Sequence, residues 1–145
     1  MKVTRYFTQS LVLAGALLST SAWADDAPLG MWKTIDDKTG QAKSLVEISE
    51  HSGEFRGKVV KLFQNPEALC EKCDGERKDK PVLGMTIMWG VKKDGDTYSG
   101  GRIYDPKEGK EYSVKFKPIA EGKKLEVRGF MGVALLGRTQ VWERP

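Results

Sequence analysis

Two cysteines in C-x-x-C spacing, Cys70 and Cys73, are the residues of this chain whose types and spacing most suggest chemistry. Thiols at this spacing occur in zinc sites, in thiol oxidoreductases and as short-range disulfides. A closed zinc site needs four ligands, and the chain offers no second cysteine pair and one histidine, His51. A redox thiol needs a nearby cation or the N-terminus of a helix after a strand; Lys72 supplies a cation, but Glu71 and Asp74 oppose it and the sequence predicts no strand–helix unit. Metal and redox roles are therefore disfavoured.

The amino terminus has the pattern of a secretory signal peptide. Lys2 and Arg5 precede an apolar run from Leu11 to Leu18, and Ala22-Trp23-Ala24 supplies a small-x-small cleavage site. The run is too short to span a bilayer. We therefore predict cleavage after Ala24 and a periplasmic or secreted protein. Because that compartment is oxidising, we predict a disulfide between the two cysteines, with no metal and no other cofactor.

Removal of residues 1–24 from a chain of 145 leaves 121 residues, 25–145, which is enough for one domain and too few for two. The leader takes two of the 24 basic residues, so 22 remain against 20 acidic residues and the net charge is +2. A charge so close to neutral disfavours nucleic acid as a partner.

Short segments rich in Val, Ile, Tyr, Phe and Trp, separated by turn sequences, predict an all-β domain. Turns such as HSGE and KKDGDT favour antiparallel hairpins, and only the connection at 63–81 is long. The predicted strands are Gly30 to Ile35, Ser44 to Glu50, Glu54 to Leu62, Val82 to Lys92, Thr97 to Tyr104, Glu111 to Pro118, Lys124 to Phe130 and Gly137 to Arg144.

Alternation along these strands predicts one apolar and one wet face. Val114 and Phe116 are apolar between charged or polar neighbours. In the fourth strand the apolar face is predicted to hold Leu83, Met85, Ile87, Trp89 and Val91. Closure into an antiparallel, eight-stranded, up-and-down barrel removes the exposed edges, and a two-sheet β-sandwich is the alternative. Several strands are too short for a transmembrane barrel, so none is expected.

Gly30-Met31-Trp32 resembles the G-x-W that opens the first strand of lipocalins, within the calycin group. The resemblance implies that an arginine near the carboxyl terminus lies over the Trp32 ring and closes the barrel. Arg138 is placed for this role, and Arg144, on the same face, is an equal candidate.

A closer resemblance covers nearly all of 25–145. The blocks GKVVKLF, CEKCDGERKDKPVLG, YSGGRIYDPKEGKEY and VRGFMGVALLGRTQVWER, in this order, are similar to a family of exported bacterial proteins that is catalogued as a domain of unknown function. That resemblance implies a lipocalin-like fold and no particular activity.

Arginine and aromatic side chains from different strands could meet at the mouth of such a barrel and orient a ligand in an apolar cavity. The alternative is that the arginines decorate the outside and the tryptophan belongs to the core. The candidate ligand-binding residues are Trp89, Arg102, Tyr104, Arg128 and Arg138.

The loop between the last two predicted strands is apolar where a turn is normally polar. Its Met131, Val133, Leu135 and Leu136 either fold inward and plug the barrel, or form an exposed lid or partner surface.

These patterns predict a monomeric, non-enzymatic barrel that binds a small apolar or amphipathic ligand or a cell-envelope component. We expect no catalytic residue, since His51 lies in a turn and the chain offers no second histidine for a triad. The alternatives are an envelope protein with a solid barrel that uses the apolar loop, and an enzyme with an unrecognised cleft.

Overall fold

Eight antiparallel strands, each paired with the next in the chain, form the fold. The computed structural model describes residues 28–133 and 135–145, so the predicted leader lies outside the described residues. The strands are β1 (Gly30–Ile35), β2 (Ala42–His51), β3 (Glu54–Leu62), β4 (Thr86–Asp94), β5 (Thr97–Asp105), β6 (Lys110–Ile119), β7 (Lys124–Phe130) and β8 (Gly137–Glu143). Pairing of β8 with β1 closes a barrel. The predicted up-and-down barrel is confirmed, and the sandwich alternative is wrong.

Aspartate side chains fix two of the hairpin turns. Asp36 Oδ1 accepts hydrogen bonds from the backbone N–H groups of Lys38 and Thr39 at 2.8 and 3.1 Å. These bonds hold the pKa of the Asp36 carboxyl below its usual value. Asp105 Oδ1 binds the N–H of Lys107 at 3.0 Å in the same way. Both turns lie at the same end of the barrel.

The apolar core fills the other end, near the β2–β3, β4–β5 and β6–β7 turns. Phe55, Tyr98 and Phe116 contact one another through their rings, with centroids 4.9 and 5.0 Å apart. The predicted alternation in β6 and β7 is confirmed, because Val114, Phe116, Leu125 and Val127 are all buried. We call this the closed end.

Trp32 and Arg144 seal the closed end. The fully buried indole of Trp32 donates its Nε1–H to the carbonyl of Pro28 at 2.7 Å, and the Arg144 guanidinium lies 3.8 Å above the ring. Arg144 also donates to the carbonyl oxygen of Met31 at 3.1 Å. Gly30 has φ +98°, and a Cβ there would approach the Arg144 guanidinium at 3.1 Å, which accounts for the glycine of G-x-W. The arginine over Trp32 is thus Arg144.

The assignment of Arg138 to this role is therefore wrong. Arg138 pairs with Gly129 near the start of β8, at the opposite end of the barrel from the Trp32 ring. Both arginines alternate onto one face of the strand, so alternation alone did not distinguish them.

The predicted face of β4 is correct for Ile87 and Val91, which are buried, but wrong for Leu83, which is exposed, and for Trp89. The strand begins at Thr86 rather than Val82, because Gly84 takes φ +88° and interrupts the extended chain. A second positive φ, +71° at Gly90, then places a bulge after Trp89. As a result, Met88 and Val91 are buried in the core, whereas Trp89 points to the outside.

Glu54 supports this bulge by accepting the N–H of Gly90 at 3.0 Å. Its carboxylate also accepts a 3.0 Å bond from the Arg56 side chain, and the two bonds lower the pKa of Glu54. Among residues 28–133 and 135–145, no helix has the length and apolar character needed to cross a bilayer.

Removal of the Arg144 guanidinium should destabilise the closed end. For Arg144→Gln we expect the free energy of unfolding to fall by about 2 kcal/mol, roughly 1 from the cation–π contact and about 1 from lost hydrogen bonds. Arg138→Gln is the matched control and should cost less than about 1 kcal/mol. Urea denaturation of both variants measures the difference. Equal losses would contradict the assignment of Arg144 as the closing arginine.

Candidate functional site

The open end of the barrel contains a cavity of about 780 Å³. Small-molecule sites commonly measure about 300–1,000 Å³, so the space is large enough for a ligand. The β1–β2, β3–β4, β5–β6 and β7–β8 connections surround its mouth. The interior is thus divided into a packed closed end and an open end with free volume.

Apolar side chains line one side of the cavity. They come mainly from β3, β4, β5 and β7, and they offer hydrocarbon surface without hydrogen-bonding groups. This apolar side comprises Val59, Leu62, Ile87, Ile103 and Val127.

Polar side chains line the opposite side, where β8, β1 and β2 meet. Thr34 and Ser44 are both buried, and their hydroxyl groups lie 2.7 Å apart. Gln140 and Trp142 face inward because they pair with Val127 and Leu125 of β7. The Trp142 indole N–H donates to Gln140 Oε1 at 3.4 Å.

Asp37, in the β1–β2 turn, contacts two side chains of this polar side at the mouth. Its Oδ2 accepts a hydrogen bond from Gln140 Nε2 at 3.2 Å and lies 3.2 Å from Arg138 Nη2. Arg138 is directed inward because it pairs with Gly129, whose missing side chain leaves room in the cavity. The polar side therefore ends, at the mouth, in a guanidinium and an amide that both contact one carboxylate oxygen.

The seam between β1 and β8 is short. Among the described residues, one pair, Lys33 with Glu143, is in register there, and an ion pair of 3.8 Å joins the two side chains. By contrast, β7 and β8 are in register over seven pairs. Near the mouth, the contacts of Asp37 with Arg138 and Gln140 join the first turn to β8 through side chains.

The long β3–β4 connection forms another part of the rim. Cys70 and Cys73 are joined in a disulfide, so that prediction is confirmed, and both residues are buried. Their sulfur atoms lie 3.7 and 3.9 Å from the carbonyl oxygen of Pro106 in the β5–β6 turn. Gly109 of the same turn is so close to Lys72 that an added Cβ would lie 2.0 Å from its carbonyl oxygen.

This disulfide loop also covers the outer wall of the barrel. The Arg77 guanidinium lies 4.9 Å from the ring centre of Trp89 and 4.4 Å from that of Tyr104. Cys70 and Cys73 pack in the same cluster. Two aromatic residues that were predicted at the mouth thus anchor the loop on the outside.

The five candidate ligand-binding residues do not converge. Arg138 lines the cavity from the inner face of β8, and Tyr104 lines the edge of the cavity. Arg102 is outside, with its guanidinium 2.8 Å from Glu111, and Arg128 donates to Thr139 at 2.8 Å on the outer face. The alternative of arginines on the outside is correct for these two.

The apolar β7–β8 loop does not plug the barrel. Leu135 is 90% exposed and Leu136 69%, and Met131 and Val133 are more than half exposed. Met131 and Leu136 also contribute to the cavity lining. The exposed alternative is therefore correct, and the loop lies at the mouth as an apolar surface.

Sequence reasoning missed Thr34, Ser44, Gln140 and Trp142, which line the polar side of the cavity, and Asp37, which contacts Gln140 and Arg138 at the mouth. The alternation of Arg138, Gln140 and Trp142 in β8 was the available signal. For Asp37 there was none, because its contact with Gln140 joins residues 103 positions apart.

Gly109→Ala should loosen the disulfide loop. An alanine at φ +67° is strained by about 1–2 kcal/mol, and its Cβ would also displace the Lys72 carbonyl at a further cost of about 1–3 kcal/mol. Gly95→Ala is the matched control, since Gly95 has φ +64° and open space around it. Urea denaturation and the rate of tryptic cleavage in the loop measure the effect. Equal behaviour of the two variants would contradict a tightly packed loop.

Comparisons with known proteins agree with this geometry. The structure is similar to that of a Helicobacter pylori protein described as "Protein HP1028 from the human pathogen Helicobacter pylori belongs to the lipocalin family". The TM-score is 0.71 at 21% identity, over 81% of this chain and 82% of that one, which shows a shared fold. No curated protein matches the chain.

A family model described as "Uncharacterized protein conserved in bacteria (DUF2147)" matches residues 30–144. The match spans the barrel from the first residue of β1 to the arginine that closes it. It confirms the resemblance drawn from the sequence blocks. The chain therefore belongs to the DUF2147 family, and its fold is a lipocalin-like barrel.

Proposed function

We propose that this protein is an exported, non-enzymatic binding protein that holds a small amphipathic molecule in the open end of its barrel. The observation that supports this most is the two-sided cavity of about 780 Å³. An apolar wall would take the hydrocarbon part of the ligand, and the polar wall would orient its head. The similar H. pylori structure is described as a lipocalin, and barrels of that type can hold one small ligand, which supports such a role.

The two walls select for a molecule with two kinds of surface. Each methylene buried against the apolar side contributes about 0.8 kcal/mol. The hydroxyls of Thr34 and Ser44 bond to each other, and the Gln140 amide bonds to Asp37 and Trp142. A purely apolar ligand would gain no hydrogen bond from this side, whereas a polar head could bond to the remaining donors and acceptors there, so amphipathic ligands are preferred over purely apolar ones.

The titrating groups support binding rather than catalysis. The pKa of Asp36 is lowered by two backbone N–H groups of its own turn, and the pKa of Glu54 is lowered by the Arg56 side chain and by the N–H of Gly90 in the bulge. Structural contacts thus account for both lowered pKa values. The leader pattern at 1–24 supports the export part of the proposal, with the mature protein in the periplasm or outside the cell.

Filling the cavity should abolish binding without unfolding the barrel. At Gly129 a Cβ would meet Ile103 and Tyr112 at an ordinary 3.7 Å, so Gly129→Leu can place its side chain in the open end. Native mass spectrometry of protein purified from its own host should then show a small-molecule adduct in the wild type and not in the variant. Glu126→Leu is the control, because Glu126 is exposed on the outer face of the same strand.

Two outcomes would contradict this proposal. One is a wild-type protein that shows no adduct and binds no added amphiphile. The other is an adduct that persists in Gly129→Leu with unchanged occupancy, since the ligand would then lie outside the cavity. Circular dichroism of each variant confirms that the barrel is folded.

The exposed β7–β8 loop favours a second candidate function, contact with a cell-envelope component. Exposed apolar residues next to one another are typical of interaction surfaces. The solid barrel first considered for this role is disfavoured by the cavity, but the surface itself is present. Binding of a ligand and contact with a partner could share the mouth.

Leu135→Asp with Leu136→Asp tests the second candidate. Both side chains are mostly exposed, so we expect the free energy of unfolding to change by less than about 0.5 kcal/mol. Association with envelope fractions, measured by sedimentation, should fall if the loop makes the contact. Thr139→Asp, on the exposed outer face of β8, is the control. Unchanged association of the double variant would reject this role.

A further inference from the structure

We infer that the ligand of this cavity has an anionic head, of the carboxylate class, and that in this structure the Asp37 carboxylate lies where that head would bind. The inference rests on the proposed function and specifies the chemistry of its ligand. Arg138 and Gln140 would bind the head, and the carboxylate of Asp37 would be displaced when the ligand enters.

The geometry around Asp37 carries the inference. A guanidinium N–H group of Arg138 and the amide N–H group of Gln140 both approach Asp37 Oδ2, each at 3.2 Å. Two donors from one strand thus converge on one carboxylate oxygen at the boundary between cavity and solvent. A carboxylate from any source, at that position, would receive the same bonds.

The side chain of Arg138 can reach a ligand. It pairs with Gly129, and both residues line the cavity. The Arg138 side chain is 68% exposed, so much of the guanidinium stays accessible while it contacts Asp37. Guanidinium groups bind carboxylates with two parallel hydrogen bonds, and one bond to Asp37 leaves further donors available.

Asp37 can leave this position at low cost. It belongs to the β1–β2 turn, its side chain is 43% exposed, and exposed ion pairs contribute little to stability. A ligand whose hydrocarbon part is already bound presents its head at a high effective concentration. The head should therefore displace Asp37, with a loss of affinity of about two- to fivefold from the competition.

The other charged side chains at the mouth do not favour a cationic head. The acids are Asp36, Glu71, Asp105 and Glu108, and the cations besides Arg138 are Lys43, Lys72 and Lys107. Asp36 and Asp105 accept backbone N–H groups of their own turns, and Glu108 lies 3.9 Å from Lys72. The two signs are balanced around the mouth, so the preference for an anionic head rests on the donors of Arg138 and Gln140.

Three probes that differ in the head alone test the inference: dodecanoate, 1-dodecanol and dodecyltrimethylammonium. Their affinities for the full mature protein are measured by displacement of a polarity-sensitive dye, at low and high salt. We expect dodecanoate to bind at least about tenfold more tightly than dodecanol, and the cation to bind most weakly.

Variants then assign the preference to residues. Arg138→Gln should remove the advantage of dodecanoate over dodecanol and leave dodecanol binding unchanged, while Arg138→Lys retains part of it. Arg128→Gln, one residue from Gly129 on the outer face, is the matched control and should keep the full preference. Asp37→Asn should raise the affinity for dodecanoate about two- to fivefold by removing the competitor.

Equal affinity for dodecanoate and dodecanol, or a preference that survives in Arg138→Gln, would overturn the inference and leave the proposed function intact. Binding of none of the three probes would overturn the proposed function as well. A lower affinity of Asp37→Asn for dodecanoate would show that Asp37 supports the head rather than competes with it, and would overturn that part.

Discussion

The contact of Arg144 with Trp32 is the interaction on which the open cavity depends. A barrel of eight strands needs a packed core somewhere, and this one places it between the Trp32 indole and the rings of Phe55, Tyr98 and Phe116. Arg144 excludes water from the end of that core while it satisfies a backbone carbonyl. Because the closed end supplies the apolar burial, the other end can stay unfilled.

The strands at the open end are stabilised by contacts on the outer face of the barrel instead. With free volume inside, strands near the mouth lack side chains that pack between them. The disulfide loop supplies contacts on their outer face through Arg77, Trp89 and Tyr104, and through the close approach of Gly109 to Lys72. A small ring such as that between Cys70 and Cys73 adds only about 2 kcal/mol of unfolded-state constraint. Its larger effect is to give the loop a fixed shape against the wall.

The sequence predicted the strands and their order well because each strand is bounded by a turn that uses local chemistry. Asp36 and Asp105 bind N–H groups within three residues, and such turns are visible in the letters. Trp89 of β4 was assigned to the wrong face because Gly90 bulges and shifts the alternation by one residue. A glycine inside an apolar strand is the signal for this, but it does not say which neighbour turns outward.

The cavity was harder to predict than the strands, because its chemistry depends on which end of a strand is open. Arg138 and Arg144 share a face of the last strand, and only the position of the core separates an arginine that lines the cavity from one that closes the barrel. Candidates chosen by residue type, such as Arg102, proved to lie outside. The alternation in β8 indicated that Gln140 faces inward. It could not indicate the contact with Asp37, which is distant in sequence.

The seam between β1 and β8 links the stability of the barrel to its proposed role. A fully paired seam would fix the mouth, and a seam with no contact near the mouth would leave β8 an open edge, which is prone to association. Here the backbone pairs at Lys33 and Glu143, and toward the mouth the join is made by Asp37 with Arg138 and Gln140. Side-chain contacts of this kind can exchange partners without disturbing the strands. Arg138 and Gln140 can therefore join the mouth through Asp37, and in the proposed complex they would bind the head group in its place.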